Sequence, residues 1–205
     1  MGRPRIHDER TREALLQASA SLLAEHGAAA LNLRRLARAV GASTQAIYTL
    51  FGSKQGLVRA LHRAGFEALD HHLASVEPTD DPVAHICALA LAYRSSALAQ
   101  PHLYDVMFAC PFPEFEPTAE DESFALSTLG RLRAAVIHHA ENGAFGGRDP
   151  DQLTLQLWAL AHGLASLELQ GALTGYHDVM AAGAVAAPEM EQTWRSAFHA
   201  MLTGV

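Results

Sequence analysis

The chain has 205 residues, 49% hydrophobic and 18% charged, which suits a sizeable core and excludes disorder by composition. No run of about 18 uncharged apolar residues is present, and Cys87 and Cys110 form neither a CxxC pair nor a disulfide framework, so a cytoplasmic protein without a membrane partner is expected. The net charge of −7 is unevenly spread: residues 1–63 carry ten Arg and Lys against four acids (+6), residues 64–205 five against eighteen (−13), which places a nucleic-acid footprint on the first part.

The periodicity is helical throughout, with no convincing period-2 strand. Leu15, Leu16, Leu22 and Leu23 mark an amphipathic helix over about 8–26, closed by Gly27. Asn32 is an N-cap for "LRRLARAV", which ends at Gly41. Ser43 caps a third helix with Ala46, Ile47 and Leu50 inward, and Ser53 a fourth with Leu57, Val58, Leu61, Ala68 and Leu69 at helical spacing. "VEPTDDP" reads as a break, and Asp81-Pro82 starts a helix to about Gln100, followed by a short one over "PHLYDVMFA".

"CPFPEFEPTAED", with three prolines, is a loop ending in Thr118–Asp121, the capping-box spacing. A long helix then reaches about Phe145, and Asp149-Pro150 starts another that reaches about Gly171. This helix is apolar on nearly every side and needs cover on both faces. The last helix, from about Pro188, lines up Met190, Trp194, Ala197, Phe198, Met201 and Leu202. The two terminal helices imply a partner surface, and a symmetric homodimer is the commonest way to fill one. Leu160, Leu164, Leu167, Trp194, Phe198 and Met201 are its candidate residues. Packing of these helices on each other within one chain is the alternative.

"LRRLARAVGASTQAIYTLF" has helix-turn-helix spacing, with Leu36, Ala37 and Val40 facing Ile47 and Leu50. That leaves Ser43, Thr44, Gln45, Tyr48 and Thr49 outward. Gln45 can pair bidentately with an adenine edge, and Thr44 or Thr49 can offer a methyl to thymine. Tyr48 combines an apolar body with a hydroxyl suited to phosphate. No Arg or Lys lies on this helix, so phosphate attraction falls to its flanks, Arg34 and Arg35 after the Asn32 cap and Lys54, the chain's one lysine. Arg3 and Arg5 of the tail over 1–7 are candidates for a narrow minor groove.

The run Leu36-Ala37, Gly41-Ala42-Ser43, Ile47-Tyr48, Phe51, Lys54 and Leu57 closely resembles the N-terminal signature of the tetracycline-repressor family of bacterial regulators, over about residues 10–60. Asn32, where a threonine is common, and Gly52-Ser53 are mild departures. The resemblance implies a third helix in the major groove, a dimer on a palindromic operator, and Lys54 against the phosphate backbone. Trp158 with His162-Gly163 is similar to the Trp/His-Gly pattern of one branch of the family's ligand-binding domains.

The fold expected is all-α: a three-helix helix-turn-helix unit over 1–55 and a helical effector-binding and dimerisation bundle over 56–205, about nine helices in all. A small, mostly apolar effector is the second partner after the double-stranded DNA operator, with Tyr104, Met107, Phe108, Phe124, Trp158 and His162 as candidate lining. The twelve histidines show no zinc-like spacing and read as scattered over the surface, so neither metal nor cofactor is expected. GxSxG, P-loop, dinucleotide and HExxH motifs are lacking, and no catalytic residue stands out. The reading is a ligand-responsive repressor. The alternative is a helical dimer that binds a small molecule or partner and carries a vestigial helix-turn-helix.

Overall fold

The computed structural model describes residues 5–28, 31–109, 112–173 and 187–204, the side chains of 5–8 and 187–189 excepted. Among these residues there are nine α-helices and no strand. They are α1 (Arg5–His26), α2 (Leu33–Ala39), α3 (Thr44–Phe51), α4 (Lys54–Ala74), α5 (Pro82–Ala99), α6 (Pro101–Phe108), α7 (Ala119–Glu141), α8 (Pro150–Leu169) and α9 (Ala187–Thr203). A 3-10 turn, Ala144–Gly147, follows α7.

Short polar side chains set where the helices begin. Asn32 Oδ1 accepts from the N–H groups of Arg34 (2.9 Å) and Arg35 (3.3 Å), and Ser43 Oγ from that of Ala46 (3.1 Å). Ser53 Oγ does the same for Gly56, Asp81 Oδ1 for Val83 and Ala84, and Asp149 Oδ1 for Gln152. Ahead of α7 the capping box forms with an aspartate in its acidic place. The Thr118 N–H donates to Asp121 Oδ2 at 2.9 Å and the Asp121 N–H donates to Thr118 Oγ1 at 3.3 Å. Gly41 (φ +67°) ends the turn after α2 and Gly52 (φ +74°) caps α3; both sit in the left-handed region that a Cβ disfavours.

The helices divide into two compact units whose boundaries fall inside α4, between α5 and α6, and inside α7. The first comprises residues 1–67 and 100–125, the second 68–99 and 126–205. The first unit is built on Leu15, Leu22, Leu36, Ile47, Leu57, Val58 and Leu61, together with Leu103, Val106, Phe112 and Phe115 from α6 and the segment after it. Each such side chain contributes about 1.5–3 kcal/mol on burial, so α6 and its following loop hold the first unit together. A linear boundary at residue 55 separates these groups; the packing joins them.

In the second unit α5, α8 and α9 pack on one another, burying Ile86, Leu153, Leu157, Trp194 and Phe198. Glu168 of α8 ties the three together. It takes Arg94 of α5 through both carboxylate oxygens (2.6–3.1 Å) and accepts from Trp194 Nε1 of α9 at 2.9 Å. Arg94 and Glu168 are both largely buried, so the pair is satisfied rather than solvated.

Three expectations change here. Trp194 (0% exposed) and Phe198 (1%) stack inside their own chain, so they present no surface to a partner. The histidines are not all on the surface: His62, His85 and His139 are buried, because each has apolar or aromatic neighbours on the inward face of its helix. Finally, α7 stops at Glu141 rather than near Phe145, since Gly143 at φ +87° breaks the helical run.

Candidate nucleic-acid interface

α3 is pinned from below by Ile47, wholly buried against the unit that also buries Leu36 and Ala37 of α2. Helical spacing then leaves Ser43, Gln45, Tyr48 and Thr49 exposed and Thr44 half-buried. Tyr48, at 48%, is the most exposed aromatic side chain of the unit's described residues. The outward set therefore lies on one side of one short helix, as the spacing implies.

Its hydrogen-bonding capacity is narrower than the residue names suggest. Ser43 Oγ already accepts from the Ala46 N–H, which leaves its hydroxyl hydrogen free to donate. Thr49 Oγ1 donates to the Gln45 carbonyl at 2.9 Å, leaving lone pairs and a methyl. Gln45 and Tyr48 keep the full reach of their polar ends.

The flanking cations differ from one another. Arg34 and Arg35 are exposed in the first turn of α2, and Arg35 Nη2 lies 2.8 Å from His26 Nε2. Arg38 is exposed one turn further along the same helix and lies outside the expected set; its position four residues after Arg34 is the signal that points to it. Arg12 rests over the Phe51 ring at 5.5 Å. Arg3 falls outside the described residues, and so does the side chain of Arg5. Asn32 spends its carbonyl oxygen on capping α2, so its structural role is established by geometry.

Lys54 does not stand free. Its Nζ meets Glu114 Oε1 at 2.7 Å and lies 5.8 Å from the centre of the Phe112 ring. The hydrogen bond from Lys54 holds the Glu114 carboxyl below the usual carboxylate range. Along the same side of α4, Arg59 Nε donates to Asp121 Oδ2 at 2.8 Å, and Arg63 lies 4.2 Å over the Phe124 ring. Burial alone would raise the Asp121 carboxyl, but the Thr118 N–H, Arg59 and the Thr118 hydroxyl together hold it low. Glu114 was legible only as one acid in a proline-rich loop; nothing in its spacing marks it as the partner of Lys54.

The candidate effector residues fall in two groups. In the first unit Tyr104 and Met107 are buried, Tyr104 and Phe108 lie 4.8 Å apart, and Phe108 meets Phe66 at 5.6 Å. Phe124 is half-buried beneath Arg63. In the second unit Tyr93 Oη lies 3.2 Å from His162 Nδ1, and Trp158 neighbours His162 at 6.4 Å between rings. Burial holds the His162 imidazole below its ordinary pKa, so the neutral ring is favoured.

Among the dimerisation candidates, Leu160 and Leu164 of α8 and Met201 of α9 are half-buried, and Leu167 is 43% exposed. Leu155 (56%) and Ala159 are also exposed on α8, about a third and a quarter of a turn around the helix from Leu167, and are further candidates for a partner surface. No group of three or more His, Cys, Asp or Glu side chains among the described residues could hold a metal. No helix among them is long and apolar enough to cross a membrane.

Residues 15–61 match the family described as bacterial regulatory proteins, tetR family, and residues 86–190 match the tetracyclin repressor-like C-terminal domain. Among solved structures, a protein of unknown function from Rhodococcus sp. RHA1 is 26% identical with a TM-score of 0.74, over 95% of this chain and 94% of that one. A TetR family transcription regulator from Marinobacter aquaeolei VT8 is 21% identical at a TM-score of 0.69, covering 96% and 98%. RolR in complex with the ligand resorcinol is 18% identical at a TM-score of 0.61, covering 98% and 91%. No curated protein sequence matches the chain.

Proposed function

The chain belongs to the tetracycline-repressor family and is a DNA-binding, ligand-responsive transcriptional regulator; from that premise we propose that it acts as a repressor, in homodimeric form, on a palindromic operator. The observation that carries the reading is the outward face of α3, where Gln45, Tyr48 and Thr49 stand exposed over a helix anchored by Ile47.

Gln45 reads an adenine edge, and Thr44 and Thr49 read thymine methyls. Thr49 additionally accepts from a base amino group, because its own hydrogen is engaged within α3. Ser43 and Tyr48 donate to phosphate or base oxygens. Arg34, Arg35, Lys54 and the tail arginines Arg3 and Arg5 supply sequence-independent attraction, and Arg38 joins them. Asn32 acts by holding the α2 N-terminus in place.

The effector is small and mostly apolar. Its proposed contacts form two separate candidate sets, Tyr104, Met107, Phe108 and Phe124 in the first unit, and Trp158 and His162 in the second, where Tyr93 with His162 offers a polar handle. That RolR carries resorcinol supports a small aromatic compound as one class to test. For the dimer, the exposed residues of α8 support an interface over Leu155, Ala159 and Leu167, with the half-buried Leu160, Leu164 and Met201 as further candidates and without Trp194 or Phe198.

A gel shift with the full-length protein and the DNA upstream of its own gene tests the reading. A shift that survives excess unrelated duplex is expected; no preference for that DNA would favour a helical binding protein with a vestigial helix-turn-helix. Native mass spectrometry of the purified protein then reads any effector as added mass.

A further inference from the structure

We propose that Glu114 is a built-in competitor for DNA: its carboxylate occupies Lys54 in the free protein and must give way before a phosphate can take the same ammonium. The proposal rests on the reading of Lys54 as a phosphate-contacting residue.

Four observations place Glu114 there by construction of the fold. Its carboxylate meets Lys54 Nζ at 2.7 Å, and its own carbonyl accepts from Gln55 Nε2 at 2.7 Å, so backbone and side chain are both held at the first turn of α4. Phe112 and Phe115, on either side of it, are buried in the core of the first unit and fix the loop. The Phe112 ring lies under the ammonium, so Lys54 is positioned from two directions. Both charged ends remain about 40% exposed, open to exchange with an incoming anion.

The chemistry of the exchange is balanced without any proton transfer. Lys54 leaves one oxyanion for another, and the released carboxylate returns to water beside a polyanion. Exposed ion pairs of this kind are weak, which is what a competitor requires: it lowers affinity without abolishing it. Asp121 is a different case, since its hydrogen bonds from Thr118 make it a cap first and a partner of Arg59 second. A segment shift that carried Glu114 away from Lys54 would strengthen binding, so the loop over 112–116 is a place where operator affinity can be tuned.

The test uses full-length protein and a duplex recovered by the wild type from a random-sequence pool. Dissociation constants are measured by fluorescence anisotropy for the wild type, Glu114→Gln, Lys54→Gln, the double variant, and Glu116→Gln as a control for charge alone. Glu114→Gln is expected to tighten binding by about two- to fivefold, in line with the strength of an exposed pair. The gain is expected to vanish in the Lys54→Gln background and to exceed that of Glu116→Gln. Equal tightening in both backgrounds, or by Glu116→Gln, would mean bulk charge and overturn the proposal. So would a Glu114→Gln affinity no tighter than the wild type, or a Lys54→Gln variant that binds as well as the wild type. Recovery of no duplex at all would overturn the DNA-binding reading itself, and this one with it.

Discussion

Gln45 and Lys54 make opposite predictions because they touch different parts of a duplex. Removing the amide in Gln45→Ala is expected to relax preference at one position of each operator half-site, at about 1–3 kcal/mol, while leaving other positions unchanged. Lys54→Ala is expected to weaken binding to all sequences about equally and to lower the salt slope by about one unit. Binding to a panel of single-base operator variants at two salt concentrations separates the two, and uniform losses in both variants would show that reader and clamp are misassigned. Glycines set a second contrast. A Cβ at Gly56 would overlap the Phe51 carbonyl, a backbone atom that cannot give way, whereas one at Gly65 meets Met107 Cγ and Sδ at 2.6 Å. Gly56→Ala is therefore expected at the upper end of about 1–3 kcal/mol of destabilisation and Gly65→Ala at the lower, read from denaturant midpoints.

At the scale of the element, α8 and α9 divide burial from exposure in a way that residue type alone does not convey. Leu155→Glu is expected to shift sedimentation from dimer to monomer with helical content retained, because Leu155 is exposed on its own chain. Phe198→Ala is expected instead to cost about 3–5 kcal/mol of stability. A Leu155→Glu dimer as tight as the wild type would remove Leu155 from the interface. The starts of α2, α3, α5 and α8 were legible to the residue, since a cap is a local device written in Asn32, Ser43, Asp81 and Asp149, whereas α1, expected from about residue 8, begins at Arg5. Which apolar residue of a nearly all-apolar helix faces inward was not legible, because periodicity carries no contrast where both sides are hydrophobic. The partner of Lys54 was hidden for a similar reason: Glu114 lies 60 residues away, and a long-range ion pair leaves no local pattern.

At the scale of the whole molecule, acid is expected to act in two stages. Burial holds the His62, His85, His139 and His162 imidazoles below 6.5. His85 Nδ1 and His139 Nε2 lie 2.9 Å apart, with His138 adding repulsion and Asp80 and Asp81 opposing it at His139. A folded pKa below the unfolded value means that the unfolded chain takes up more protons as pH falls. This stability is full above about 6.5 and drains below it. Asp70, Asp121 and Asp151 are held below 3.8, so their contribution is lost only as pH falls further. Denaturant unfolding from pH 8 to 3 is expected to show the histidine loss first, and His139→Gln is expected to flatten that upper stage. A profile unchanged between pH 7 and 5 would contradict it.

The order of the chain through the first unit has one more consequence. Leu103, Val106, Phe112 and Phe115 enter its core from a stretch that begins more than thirty residues after α4 has left it. No single cut therefore frees the DNA-reading helices with their core complete, and a fragment ending at residue 67 would expose what those four side chains cover. Exchanging operator preference between two such proteins with that core intact would take three crossovers, at 67/68, 99/100 and 125/126, or a graft confined to the outward face of α3. A single recombination event after α4, the simplest route to a new pairing of sensor and target, would seat one parent's DNA-reading helices on the other parent's residues at positions 103, 106, 112 and 115.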